Sequence, residues 1–425
     1  MKRRIILAAV AVAAVMALLG LAGCSRAKSG GSSAQAEGGG AKLVYWSMWN
    51  EAEPQGQVIA RAAEAFAKET GIAVDINFNG REIRKTLQPA LDAGETIDLF
   101  DEDIERVANT WGNYLLPLDE YVAKSYSTTG GSPYGDVINK TLLTLARDLG
   151  GGQVKNIPYQ PSAFVTMYNK DLFEQAGIAA LPKTGEELLE ACAKLKAIGV
   201  TGVTVDDAYM AAFFGYSMDR LVGADATLSM VKNNDFTGPQ VLAFGQLMEM
   251  MVQNGYFSQK AASNIYPAGQ VEEIATGKVA MYLNGTWLPN EIKGNAPNMR
   301  WGAFAWPAFG SGDGAEANNF GSQSFGVNKN TKYPEEAFRF IVWLTTGEWD
   351  ATLAEESIGI PMGNDSAWPQ ALAEAKVVVD STTKRLPWAV GMEDSPDINA
   401  KIKENFAKLI MGSFNANQFA EAMAK

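Results

Sequence analysis

Along most of this chain, hydrophobic positions recur with one of two periods, and the two alternate. Lys42 to Trp46 reads as a short strand. Val58, Ile59, Ala62, Ala63 and Phe66 then follow a helical period that Thr70-Gly71 stops. Val74, Ile76 and Phe78 alternate as a strand, Ile83, Leu87 and Leu91 mark a second helix, and Ile97 to Phe100 a third strand. The rhythm resumes further on. Thr184-Gly185-Glu186-Glu187 predicts a capping box opening a helix through Leu195, which Gly199 ends before a strand over Val200 to Val205. Pro334 suits the first turn of another helix carrying Ala337, Phe338, Ile341 and Leu344 on one face. This order predicts an α/β fold of two lobes, each a mostly parallel sheet flanked by helices. Ligands of such sheets bind outside the carboxyl ends of the strands. The loops after Val44–Trp46 and Ile97–Phe100 are therefore the first places to look.

The N-terminus has a different pattern. Lys2, Arg3 and Arg4 precede an uncharged apolar run from Ile5 to Ala22, the layout of a secretory signal peptide over residues 1–23. The run is also long enough to span a bilayer, so an uncleaved anchor is the other reading. Leu21-Ala22-Gly23-Cys24 resembles a bacterial lipobox, in which the Cys is lipidated and becomes the mature N-terminus. A diacylglyceryl Cys24 would supply the two chains that stable anchoring needs. Ser25 to Gly40 is Ser, Gly and Ala with scattered charge, so residues 24–41 read as a flexible tether of about 20–25 Å reach.

Composition narrows the function classes. Behind the signal and tether lie roughly 385 residues, enough for two or three domains. The net charge is −12, and losing Lys2, Arg3 and Arg4 makes it −15. An acidic surface argues against nucleic acid and against direct docking on anionic lipid. There is no His, which removes His-dependent triads, dyads and zinc sites. With Cys24 lipidated, Cys192 is the one thiol left, so neither a disulfide nor a Cys-rich metal cluster can form, and no metal or cofactor is expected. Cys192 shares a helical face with Leu188 and Leu195, which makes it a buried structural thiol.

The candidate loops are rich in aromatics beside carboxylates and amides. Trp46, Trp49, Asn50 and Glu51 follow the first strand, and Asp101, Glu102 and Asp103 follow the third. Tyr159 and Gln160 come later, then Asn284 and Trp287, and finally Trp388. A sugar ring has an apolar C–H face that stacks on an indole and a rim of hydroxyls that carboxylates and amides bind. The acids at 101–103 have a blander reading as a solvated loop or helix N-terminus. Trp301, Trp306, Trp343 and Trp349 read as packing, and Arg81 as facing solvent or pairing near Glu82.

Taken in order, several segments resemble the extracellular solute-binding proteins of the family that includes maltose-binding protein. They are Leu43-Val44-Tyr45-Trp46, Glu95 to Phe100, Leu115-Leu116-Pro117-Leu118-Asp119, Ile157-Pro158-Tyr159, Met167-Tyr168-Asn169-Lys170-Asp171-Leu172-Phe173, Gly277 to Met281 leading to Asn284-Gly285-Thr286-Trp287, and Gly321 to Lys329. The resemblance implies a periplasmic-binding-protein fold that closes on its ligand like a clam shell. It divides the chain into an N-terminal lobe of 42–158 with 303–345 and a C-terminal lobe of 159–302 with 346–425. Strand crossings are expected near Pro158–Ala163, Gly302–Phe304 and Thr345–Asp350. Trp46, Trp49, Glu51, Glu102 and Asp103 would line the first lobe's side of the cleft, Tyr159 and Gln160 the hinge, and Trp287 and Trp388 the second lobe. Tyr168 packs in its strand. The implied function is a monomeric, non-enzymatic carrier, held to the membrane only by its lipid, that captures a carbohydrate and hands it to the permease subunits of an ABC importer.

Two other classes stay open on the residues alone. A glycoside hydrolase would need two carboxylates at a set separation, for instance Glu51 and Asp103. A surface lipoprotein of purely structural role would bind no small ligand. Within the carrier class a non-sugar solute is possible, although an anion site calls for Arg, Lys or helix N-termini.

Overall fold

The computed structural model describes residues 40–425. The predicted signal peptide, Cys24 and most of the predicted tether fall outside that range. Two sheets organise the described chain. The first contains β1 (Lys42–Ser47), β2 (Ala73–Phe78), β3 (Leu99–Asp103), β4 (Asn156–Phe164), β9 (Ala317–Val327) and β10 (Lys384–Leu386), in the order β10-β9-β3-β1-β2 with β4 also on β9. The second contains β5 (Thr166–Asn169), β6 (Thr201–Thr204), β7 (Val279–Leu283) and β8 (Trp301–Phe304), in the order β6-β7-β5-β8.

Parallel pairing holds where strands alternate with helices: β1 with β2 and β3, and β6 with β7. Antiparallel pairing enters with the long connections, β9 against β3 and β4, and β5 against β7 and β8. Helix Pro54–Thr70 buries Val58, Ile59, Ala62, Ala63 and Phe66, the predicted stripe, and ends at Gly71 with φ 74°. The predicted capping box is present: Thr184 Oγ1 accepts from Glu187 N, and the Glu187 carboxylate accepts from Thr184 N. Helix Pro334–Thr345 buries Ala337, Phe338, Ile341 and Leu344 as its spacing predicts. Cys192 is fully buried, and burial pushes its thiol up to about 12. Trp301 and Trp306 are also buried.

Three local predictions change. The third strand begins at Leu99 and runs on through Asp103, because β9 pairs with it from Leu99↔Val327 to Asp103↔Gln323. The acids at 101–103 are therefore strand residues and not a loop. Gly302–Phe304 lies inside β8 of the second sheet, and the chain returns to the first sheet only at β9. Thr345–Asp350 is not a crossing either. Helix Gly347–Ser357 packs on helix Pro54–Thr70 of the first lobe, and Asp350 accepts the N–H groups of Met362 (2.8 Å) and Gly363 (2.9 Å), which fixes the turn that follows. The chain reaches the second lobe again at helix Ala373–Ser381, which packs on β8. Among the described residues, no helix is long and apolar enough to cross a membrane.

Candidate ligand-binding cleft

The carboxyl ends of β1 and β3 carry the first lobe's candidate residues, and those of β6 and β7 carry the second's. Trp46 is the fifth residue of β1, half-buried, on the face opposite Tyr45 by strand alternation. Trp49 is only 7% exposed. Its Nε1 donates to the Tyr159 hydroxyl at 2.7 Å, and the Arg81 guanidinium lies 4.7 Å over its ring. Arg81 does not face solvent alone, nor does it pair beside Glu82. It grips Glu53 with both terminal nitrogens (3.0 and 2.9 Å) and donates to the Met48 carbonyl at 2.7 Å. Asn50 is exposed and held on Glu53 through its backbone N (2.6 Å) and side chain (3.0 Å). Glu51 is exposed.

Three sequence candidates prove to be occupied by the protein itself. Glu102 is fully buried and accepts from Arg84 Nε (2.6 Å), Arg106 Nε (3.1 Å) and Asp103 N (2.9 Å). Both its oxygens are engaged, because a carboxylate drawn into the sheet needs its charge compensated there. It is a structural anion in place of the expected ligand contact. Tyr159 is 1% exposed, stacked on Phe325 at 4.2 Å, with its hydroxyl between Trp49 and Asp101. It touches the site only through Trp49. Asp103 is an N-cap, one oxygen accepting from Glu105 N (3.0 Å) and Arg106 N (3.1 Å). Burial raises its carboxyl to about 6. Asp101, outside the predicted site, is fully buried beneath it and raised to about 6 by desolvation, against hydrogen bonds from Tyr159 and the Met48 N–H.

Gln160 lies at an irregularity in the β4–β9 pairing and has a φ of 44°. Its Nε2 donates to Ser357 Oγ at 2.7 Å, and its buried Oε1 has no partner.

The second lobe presents an aromatic cluster. Trp287 lies 6.1 Å from Trp388, 6.2 Å from Phe164 and 6.4 Å from Tyr209, centroid to centroid, and its Nε1 donates to the Tyr209 hydroxyl at 3.1 Å. The turn that presents it requires Gly285, where an added Cβ would lie 2.3 Å from the indole. Phe164 meets Trp388 edge-on at 5.3 Å. Trp388 Nε1 donates to Glu393 at 2.9 Å, and it precedes Ala389 and Val390, both held at positive φ. Polar atoms without partners occur in the same loops: both amide atoms of Asn284, fully buried three residues before Trp287, and Oε1 of Glu393, the carboxylate that Trp388 bonds. Desolvation raises the Glu393 carboxyl.

The charge of the first lobe is felt here. Glu291 accepts from the Tyr266 hydroxyl at 2.8 Å; desolvation raises its carboxyl, and the charge of Arg81, from the first lobe, opposes that rise. Arg81 also pulls against the desolvation that raises Tyr266. Trp49, Asn50, Trp287, Asn284 and Trp388 thus belong to loops at strand ends, as expected. Arg81, Glu53, Tyr209, Tyr266, Glu291 and Glu393 were missed. Following the carboxyl end of the Val200–Val205 strand would have reached Tyr209; no sequence signal marks Glu291 or Glu393. Among the described residues, no cluster of side chains could hold a metal ion.

Comparison with known proteins agrees with this architecture. A binding protein of Brucella abortus is 28% identical over 226 residues, 51% of this chain and 52% of that protein. The chain thus spans about half the length of that relative. The melibiose/raffinose/stachyose-binding protein MelE of Bacillus subtilis is 22% identical over 306 residues, 70% of this chain and 67% of its own. Among solved structures, the bacterial solute receptor AcbH, described as preferring β-D-galactopyranose, superposes with a TM-score of 0.71 at 16% identity, covering 91% of this chain and 97% of its own. The model of the bacterial extracellular solute-binding proteins matches residues 49–351. With that match and the two-sheet architecture, the chain belongs to the family of bacterial extracellular solute-binding proteins.

Proposed function

We propose that this protein captures an oligosaccharide between its lobes and delivers it to the permease of an ABC importer, while tethered outside the cytoplasm through a lipidated Cys24. The observation that carries the reading is the juxtaposition of Trp287, Trp388, Phe164 and Tyr209 with partnerless amide and carboxylate oxygens at Asn284 and Glu393. Rings offer stacking area, and an amide that both donates and accepts, with a carboxylate oxygen that accepts, suits hydroxyls, which do both. Arg81, the cation over the Trp49 ring, is paired with Glu53, so its charge is already compensated and does not by itself offer an anion site. The name of the MelE relative, which specifies melibiose, raffinose and stachyose, points the same way. The carrier reading is favoured over a hydrolase because Asp103, one of the two carboxylates such an enzyme would use, spends an oxygen capping a helix.

The test is calorimetric titration and thermal shift with melibiose, raffinose, stachyose, galactose, and chitin and xylan oligosaccharides. A sugar at about 100 times its Kd is expected to stabilise by about 2.7 kcal/mol. Trp287→Ala should abolish that response. Binding of amino acids, polyamines or anions with no sugar response would overturn the choice of ligand, and turnover of an oligosaccharide would overturn the carrier reading.

A further inference from the structure

The row of rings in the second lobe does not stop at Tyr209. Trp388 lies 6.1 Å from Trp287, Trp287 lies 6.4 Å from Tyr209, and Tyr209 lies 5.9 Å from Tyr266, which it meets edge-on. Tyr266 is 40% exposed and held at both ends. Its N–H donates to Asp207 Oδ1 at 2.8 Å, and its hydroxyl donates to Glu291 Oε1 at 2.8 Å. Glu291 is exposed and stands one helical turn past Trp287, whose carbonyl accepts its N–H at 3.1 Å. Gln270 faces the same carboxylate. It is fully buried on a short π-helix, Gly269–Ile274, and neither polar atom of its amide has a partner. Such helices are rare and are frequent at functional sites.

Charge distinguishes this end of the row. Among the described residues, neither Glu291 nor the nearby Asp206 and Asp207 forms an ion pair with a Lys or Arg; the hydrogen bonds that they accept come from Tyr266, Tyr282 and the Gly269 N–H. Asp206 adds like charge to Glu291, and Arg81, whose charge opposes it, is held on Glu53 by both terminal nitrogens. A neutral ring laid over Glu291 would strip water from an anion without compensating its charge, whereas an ammonium group would compensate it. We propose that Tyr209, Tyr266, Glu291 and Gln270 form an ammonium subsite, so that the solute is an amine-bearing carbohydrate whose charged nitrogen lies beyond the unit stacked at Trp287. An ammonium group donates three hydrogen bonds, which the Glu291 carboxylate and the Gln270 carbonyl accept, and the tyrosine rings add their negative faces. The carbohydrate part of the proposal rests on the function proposed above; the ammonium subsite does not.

Matched pairs of saccharides read the charge. Chitotriose is offered with its amines free and with them acetylated, and stachyose with and without a terminal amine, at about pH 6, where primary amines are protonated. By calorimetry, the amine form of whichever pair binds should bind about tenfold more tightly than its neutral counterpart. The gap should close in Glu291→Gln, which keeps an acceptor for the Tyr266 hydroxyl. No preference for the amine, or a preference that survives Glu291→Gln, would overturn the subsite. Butylammonium is the probe that needs no sugar. Compared with potassium at equal ionic strength, it should raise the melting temperature of the wild type and leave that of Glu291→Gln unmoved. A wild type that ignores butylammonium overturns the inference whether or not any sugar binds. One that answers butylammonium and no saccharide keeps the subsite and sinks only the choice of a carbohydrate.

Discussion

Trp388 donates its indole N–H to one oxygen of Glu393 at 2.9 Å, while the other oxygen of the same carboxylate is buried and without a partner. Burying an acceptor unpaired costs about 1–3 kcal/mol unless something else satisfies it. A ligand hydroxyl beside Trp388 is the partner that the proposed function supplies. Glu393→Gln keeps an oxygen for the indole and replaces the orphaned acceptor with an amide that needs none of the charge's hydration. The expected result is unchanged or higher thermal stability together with roughly tenfold weaker sugar binding, read by melting and by calorimetry on the same sample. Stability and affinity falling together would mean that Glu393 is purely structural.

Glu102 makes the opposite prediction. It is buried, and the two guanidiniums that neutralise it are partly exposed, at 43% and 42%. Glu102→Ala removes the anion but leaves both cations able to rehydrate, so the loss is smaller than for a fully buried pair. About 1–3 kcal/mol of stability should go, by chemical denaturation, with the affinity of the remaining folded protein for sugar close to wild type. A selective loss of affinity at unchanged stability would restore Glu102 to the ligand site.

These two carboxylates show what could be read from the chain and what could not. The stripe of Val58, Ile59, Ala62, Ala63 and Phe66, the Thr184–Glu187 cap and the Pro334 helix are local patterns, and each recurs as an element in the fold. The two-lobed α/β architecture followed from their order. Asp101 to Asp103 looked like an acidic loop because nothing nearby in sequence reveals that β9, more than two hundred residues away, extends the ladder through them. Tyr159 lies in β4, and its hydroxyl is spent on Trp49 and Asp101, a contact between separate segments that periodicity does not encode. Arg81 on Glu53 is a pairing of the same kind.

Acid should stabilise this protein over a definite range. Burial raises Asp101 and Asp103 to about 6, and raises Asp219, beside the Asp313 carboxyl, to about 7. A carboxyl raised in the fold contributes fully below its ordinary value of 3.8, and the contribution is lost as pH climbs through the raised value. For Asp101 alone, the rise from 3.8 to about 6 corresponds to about 3 kcal/mol. Asp313 works the other way: although its own burial pushes upward, hydrogen bonds from Asp219 and Lys384 hold it at about 2, so its stabilisation persists until pH falls below 3.8. Melting temperature should therefore fall by several degrees between about pH 4 and pH 7, and Asp219→Asn should flatten the upper part of that slope. A melting temperature that rises over the same range would show that these carboxyls are not raised above their ordinary value in the fold.

Thiol counting tests the anchor. The sequence has two cysteines, and Cys192 is fully buried against Gly202, where an added Cβ would lie 2.5 Å from its sulfur. A thiol raised to about 12 is protonated at neutral pH, and the thiolate is the reactive form. Native protein extracted from the membranes of cells that make it should then react with no thiol reagent, and the denatured protein with one equivalent, because a thioether at Cys24 has no thiol. Two equivalents after denaturation would mean that Cys24 carries no lipid and that something other than a thioether-linked diacylglyceryl group must hold the chain to the membrane. Gly202→Ala serves as the control on Cys192: by forcing that sulfur to shift, it should bring native-state labelling forward without changing the total count.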